Sequence, residues 1–286
     1  MKSVVLILPY FGKFPDIFPL FLKTAEKNPN INFLIISDSE ENINYPKNVR
    51  ILSQTFSEFK KLMEKQLGQT IALEKPYKLC DYKPIYGYVL SEQIKQYDYW
   101  GYCDCDLIWG DLYSFIEPLM EKGYDKIFAS GHLTLYRNTQ ENNELFRTLD
   151  EGALFSEISK DNQIYWFDED YQGKNNIHDL FLKSGKKVFA EDFSVNFNIN
   201  TNCFQRKMYS PENRTYIDIP YEKEQYYWDA GKIYQVKKRE ESIAITEYPY
   251  IHFQLRYMHG IQCALSEERF KIVPNRFLKC DKIPRT

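Results

Sequence analysis

Five consecutive apolar residues, Val4-Val5-Leu6-Ile7-Leu8, follow a charged start, and Ile31 to Ile36, apolar except for Asn32, reads as a second buried strand. A strand that is apolar throughout must be buried on both faces, which points to a parallel sheet covered by helices on either side. Pro9-Tyr10-Phe11-Gly12 ends the first run and Ser37-Asp38-Ser39 the second. Val49 to Leu52 supplies a short third strand and residues 98–103 a fourth. Between them the spacing predicts a helix over 17–27 capped by Asp16, another from Phe56 to Leu67, and one from about Pro84 to Gln96; a further helix, Leu112 to Met120, follows the fourth strand. Alternation of this kind over the first ~130 residues predicts an α/β fold, a doubly wound, mostly parallel sheet with right-handed crossovers. Ligands bind such sheets beyond the carboxyl ends of the strands, where Tyr10, Phe11, Asp38 and Asp104 fall.

The second half is less regular. Strands are expected over Lys126 to Ser130 and Leu133 to Tyr136 around a Gly131-His132 turn, helices over Glu141 to Leu149 and Ile177 to Ser184, and several strand-like runs within 187–254. Ser266 to Lys279 closes the chain. No repeat or low-complexity linker divides the 286 residues, so one domain with an irregular C-terminal extension is expected.

A formal net charge of −3 argues against nucleic acid as a partner. The short basic run Lys237-Lys238-Arg239 reads as a solvated strand end or turn, with weak peripheral contact to anionic lipid as the lesser alternative. The N-terminal apolar run is too short for a membrane span and lacks a signal-peptide cleavage pattern, so a cytoplasmic location is expected. Six cysteines without CxxC spacing imply reduced thiols. Aromatic side chains can stack on sugars, but an A- and T-rich coding bias, which raises Tyr, Phe, Asn, Lys and Ile together, is the weightier explanation of their number.

The chemistry centres on Tyr102-Cys103-Asp104-Cys105-Asp106-Leu107-Ile108-Trp109-Gly110-Asp111. Two carboxylates at i and i+2 after a buried strand are costly without a compensating cation. A divalent metal bridging to a diphosphate meets that need, and hard oxygen ligands suit Mg2+ or Mn2+. Alternation turns Cys103 and Cys105 away from the two carboxylates. Rival readings stay open. An EF-hand loop is disfavoured by Ile108 and Trp109, an aspartyl-nucleophile phosphatase by the lateness of the strand and by Ile108, and the pair can also simply cap the turn near Asp111.

Lys78-Leu79-Cys80-Asp81-Tyr82-Lys83-Pro84 and the 98–111 stretch, with Tyr248-Pro249-Tyr250-Ile251-His252-Phe253-Gln254 near the C-terminus, resemble bacterial glycosyltransferase-like proteins of capsule and lipopolysaccharide clusters. These are similar to the GT-A nucleotide-diphospho-sugar transferases. The resemblance implies one GT-A-like domain over 1–286, with residues 1–130 binding the nucleotide-sugar and 131–286 the acceptor. It implies nucleotide contacts from Pro9, Tyr10, Phe11, Gly12 and Asp38. It also places donor contacts at Lys78, Asp81, Lys83, Gly131 and His132, and metal ligands at Asp104, Asp106 and His252. Arg256 and His259 would lie towards the diphosphate.

The expected reaction is transfer of a hexose from a UDP-sugar to a glycan or lipid-linked saccharide, with retention favoured on His252. Asp106 acts at the metal, and an inverting enzyme would instead use Glu191 or Asp192 as base. A phosphoryl-transfer enzyme and a catalytically silent sugar-binding module are the other classes.

Overall fold

The computed structural model describes residues 1–148, 152–171, 173–201, 203–240 and 242–284. Its first eight strands are β1 (Val4–Pro9), β2 (Ile31–Ser37), β3 (Val49–Ser53), β4 (Tyr99–Cys103), β5 (Leu107–Trp109), β6 (Lys126–Ser130), β7 (Leu133–Arg137) and β8 (Val188–Phe189). Seven of them form one sheet in the order β3-β2-β1-β4-β7-β6-β8. The first four strands are parallel, in the register Val4↔Ile31 and Val4↔Tyr99. β7 then runs antiparallel to β4 and β6, while β6 and β8 are parallel. The protein is therefore α/β with a mixed central sheet.

Strand geometry explains why these strands carry apolar residues on both faces. Val4, Leu6, Leu8, Phe33 and Ile35 enter one core, and Val5, Ile7, Leu34 and Ile36 enter the other, because successive side chains point to opposite faces. Helices cover both. Phe56–Leu67 starts with a reciprocal capping box between Thr55 and Glu58 and ends at Gly68 in the left-handed conformation. The helix expected over 17–27 runs Phe18–Glu26, but Asp16 does not cap it; the cap position is Ile17, with no side-chain bond. The single helix expected over 84–96 is replaced by a 3₁₀ segment, Pro76–Ile85, and two short turns, Tyr86–Val89 and Ser91–Ile94. Here Gly87 lies so close to Trp100 that a Cβ would fall 2.2 Å from its ring, so packing sets the path of the chain. The helix expected over 141–149 runs Gln140–Thr148, and Leu149 lies outside the described residues.

The later strands are β9 (Val195–Phe197), β10 (Arg206–Ser210), β11 (Thr215–Ile219), β12 (Gln225–Asp229), β13 (Lys232–Lys238), β14 (Ile243–Tyr248), β15 (Tyr250–His252), β16 (Arg269–Val273) and β17 (Arg276–Lys279). They make a second sheet, β11-β10-β9-β15-β5, and a third, antiparallel sheet, β14-β13-β12-β16-β17. β5 thus leaves the first sheet directly after β4 and joins the second. Ile17 and Leu20 pack with Ile108, Val195 and Trp228 in a third core, and Trp228 Nε1 donates to the Trp109 carbonyl at 2.9 Å. No helix among the described residues is long and apolar enough to cross a membrane.

Candidate metal centre

Asp104-Cys105-Asp106 occupies the step between β4 and β5. Cys103 and Cys105 are buried in the core, so the intervening carboxylates turn the other way. The Asp104 N–H donates to the His132 carbonyl at 3.1 Å, which fixes the strand end. β15 lies antiparallel to β5 with His252 opposite Leu107, next to Asp106 in the chain. That register brings His252 Nε2 to 3.5 Å from Asp106 Oδ1 and 3.8 Å from Asp104 Oδ2. The chain then turns through Gln254 and Leu255, both at positive φ, and the Leu255 N–H donates to Asp106 Oδ2 at 2.5 Å.

The imidazole is oriented from behind. Asn196 Oδ1 accepts from the Gln254 amide at 2.9 Å and stands 3.1 Å from His252 Nδ1. An acceptor in that position selects Nδ1 as the protonated nitrogen, which leaves Nε2 facing the two carboxylates. One ligand atom from each of Asp104, Asp106 and His252 lies within 4.8 Å of the others, a group that can hold a metal ion. Two carboxylate oxygens and a neutral imidazole suit a hard or borderline divalent cation. Without one, the imidazole serves as the counter-charge. Burial disfavours the charge on Asp106, but His252 and the Leu255 N–H outweigh it and hold the carboxyl below its ordinary value. Burial likewise opposes protonation of His252, and Asp106 overrides it, so the imidazole pKa rises.

A lysine completes the centre. Lys83 Nζ donates to Asp104 Oδ1 and to the Gly131 carbonyl, each at 2.7 Å, and lies 3.2 Å from Asp168 Oδ2. One Asp104 oxygen is therefore committed to Lys83, while the other faces His252. A Cβ at Gly131 would sit 2.8 Å from Asp168 Oδ2, so a larger residue there would displace that carboxylate from its present position. His132 stacks on His252 at 4.4 Å and lies 3.1 Å from the Tyr250 hydroxyl. Burial, then the charges of His252 and Lys83, push its pKa well down, so it stays neutral. Burial pushes Asp168 up to about 7 against the pull of Lys83, and raises Glu169 as well.

These groups line a cavity of about 660 Å3. Pro9, Tyr10 and Phe11 form one wall, with Tyr10 stacked on Phe14 at 5.0 Å. Gly12 and Asp38 stand behind it: the Gly12 N–H donates to Asp38 Oδ1 at 2.7 Å, which shapes the loop after β1.

A family model matches residues 6–281, a span that holds Asp104, Asp106 and His252. Its description is a family of unknown function, DUF6625. The chain belongs to the DUF6625 family. Among proteins of curated function, none matches it.

Several expected site residues lie elsewhere in this DUF6625 chain. Lys78 and Asp81 are withdrawn from the cavity as a buried ion pair at 2.9 Å. The lysine also donates to the carbonyls of Ile158 and Gln163, and the aspartate accepts from the N–H groups of Tyr165 and Phe167. With every charge spent internally, neither is free for a donor sugar. Asp192 accepts from the N–H groups of Ser194 and Tyr209 at 2.8 Å and does not line the cavity, while Glu191 is exposed at the surface. Neither is placed to act as a base. Arg256 is engaged by the carbonyls of Asn198, Thr201 and Pro274, and His259 lies in a backbone pairing with Asn275 and Phe277. Asp111 caps the helix Leu112–Glu121 by itself, which leaves the acidic pair without a capping role. The cavity carboxylates that sequence reasoning missed are Asp168 and Glu169. The only signal for them is the acidic string in Trp166-Phe167-Asp168-Glu169-Asp170, which has no spacing rule behind it.

Proposed function

We propose that this protein is a metal-dependent glycosyltransferase of GT-A type, transferring a hexose from a UDP-sugar to a glycan or lipid-linked saccharide. The observation that carries the reading is the convergence of Asp104, Asp106 and His252, drawn from distant segments, on one wall of a roomy cavity at the carboxyl ends of parallel strands. Asp104, Asp106 and His252 would hold Mn2+ or Mg2+. A cation there offsets charge on a diphosphate leaving group.

The chain's own residues divide the remaining tasks. Tyr10 and Phe11 offer aromatic surface to a base, and Lys83 supplies a positive charge beside Asp104. Glu169 is the carboxylate best suited to take a proton from an acceptor hydroxyl, because Asp168 is ion-paired with Lys83, whereas Glu169 is held by neutral donors, the Tyr216 hydroxyl at 3.3 Å and the Gly131 backbone.

One observation favours a second reading. The Asp104 side chain is 34% exposed against 4% for Asp106 and sits beside a lysine, as an aspartyl nucleophile for phosphoryl transfer would. A thermal-shift panel of UDP, GDP and CMP, with and without Mn2+, separates the two. The transferase reading expects a joint UDP–Mn2+ stabilisation of about 2.7 kcal/mol at a hundredfold excess over Kd, lost in Asp106→Asn. A phosphorylated Asp104 and no UDP response would refute it.

A further inference from the structure

Three of the four tryptophans, Trp100, Trp109 and Trp228, are fully buried, whereas Trp166 is 50% exposed at the cavity wall. Tyr171 is 45% exposed, with its ring centroid 6.1 Å from that of Trp166, and Tyr77, 74% exposed, stands on the same cavity. Large aromatic side chains left in water around a polar cleft are a binding surface rather than unfinished core.

Trp166 is also held rigidly. Its φ of +52° is unfavourable for a bulky residue. The conformation is pinned on both sides, because the N–H groups of Tyr165 and Phe167 both donate at 3.0 Å to the carboxylate of Asp81. Asp81 is anchored in turn by Lys78, and the Phe167 carbonyl accepts from the Ile177 N–H at 2.9 Å. A buried ion pair thus maintains an exposed indole at a strained backbone position, which is the signature of a pre-organised contact. The next two residues, Asp168 and Glu169, carry the acidic side of the cavity.

We propose that Trp166 and Tyr171 form the platform on which a neutral saccharide acceptor stacks its C–H face, with its hydroxyls turned towards Asp168 and Glu169. This inference rests on the transferase reading. Aromatic faces accept pyranose C–H surfaces, and polar groups beneath them orient the hydroxyls. The surplus of acidic over basic side chains on the cavity lining disfavours anionic sugars such as uronates. It also disfavours an anionic bilayer as occupant.

The test uses the full chain with maltotriose, cellotriose, chitotriose, lactose and a glucuronate disaccharide. Acrylamide quenching of tryptophan fluorescence reads Trp166 almost alone, since the other three indoles are buried. At least one neutral sugar should protect the signal, while the glucuronate should not. Trp166→Phe should bind within a few-fold of wild type by calorimetry. Trp166→Ala should weaken binding by about tenfold, roughly the worth of one aromatic stack. Three results would overturn the proposal: no neutral sugar protects Trp166, Trp166→Ala binds as wild type does, or phosphatidylcholine–phosphatidylglycerol vesicles protect it where sugars do not. The UDP–Mn2+ thermal shift is measured on the same samples. Its absence alongside intact sugar protection would reject the nucleotide reading and leave the platform standing.

Discussion

His252 Nε2 stands 3.5 Å from Asp106 Oδ1, and the opposite ring nitrogen is held by Asn196 at 3.1 Å. One side of the imidazole is thus oriented by an amide, and the other is offered to the acidic pair. The step between β4 and β5 and the end of β15 thus bring three groups within 4.8 Å of one another, an arrangement that can hold a cation.

Asn196 should matter although it is not a ligand. Asn196→Ala frees the ring to rotate and removes the acceptor that selects the Nδ1 tautomer. Mn2+ affinity by calorimetry should fall by about 10–100-fold while the fold is retained. Unchanged affinity would show that the imidazole is not oriented in this way.

Lys83 is the nearest counter-charge for Asp104 and Asp168. Lys83→Met leaves those carboxylates facing each other and should destabilise the protein by about 3 kcal/mol in urea titrations without metal. Mn2+ should restore part of the loss in the variant and give a smaller gain in wild type. An equal gain in both would mean the cation does not replace the lysine's charge.

The Lys78–Asp81 pair is an organising element rather than a ligand set. Asp81→Asn leaves a buried ammonium short of its partner and should cost about 3–5 kcal/mol. Lys78→Met combined with Asp81→Leu should cost less than the sum of the single changes, since no unpaired charge remains. Strict additivity in a double-mutant cycle would disprove the coupling.

Lys126 gives a pH signature away from the centre. It is buried, donates to the Phe128 carbonyl at 2.5 Å, and lies 3.3 Å from His178 Nδ1. Burial lowers its pKa to about 7, with Asp170 and Asp168 opposing. Its folded pKa lies below its unfolded value, so between about 7 and 10.5 the unfolded chain holds a proton that the folded chain does not. Its contribution to stability therefore rises with pH across that window, by up to about 1.4 kcal/mol per pH unit. Lys126→Met should remove that slope from the stability–pH curve; a slope unchanged in the variant would assign it to another group.

The strands at 4–8 and 31–36 were legible because burial on two faces leaves a nearly continuous apolar signature that no distant residue can alter, and those at 49–52 and 98–103 because they alternate with helical spacing. The same local logic located Asp104 and Asp106 at a strand end and turned Cys103 and Cys105 inward. Lys78 and Asp81 misled because sequence shows the charges of a motif but not whether they neutralise one another, and here they do so in the interior. Glu191 and Asp192 misled for a related reason: an acid after a strand looks the same whether it faces a cleft or caps its own backbone.

Local periodicity, then, determined the parallel core of this chain and the position of its acidic pair, since both follow from residues near one another in sequence. Tertiary structure decided the rest. The pairing of β15 with β5 sets His252 beside Asp106, the bonds from Tyr165 and Phe167 to Asp81 present Trp166, and the absence of a side chain at Gly131 admits Asp168. Each of these depends on the register or close approach of segments far apart in the chain, which packing selects and no short stretch of sequence encodes.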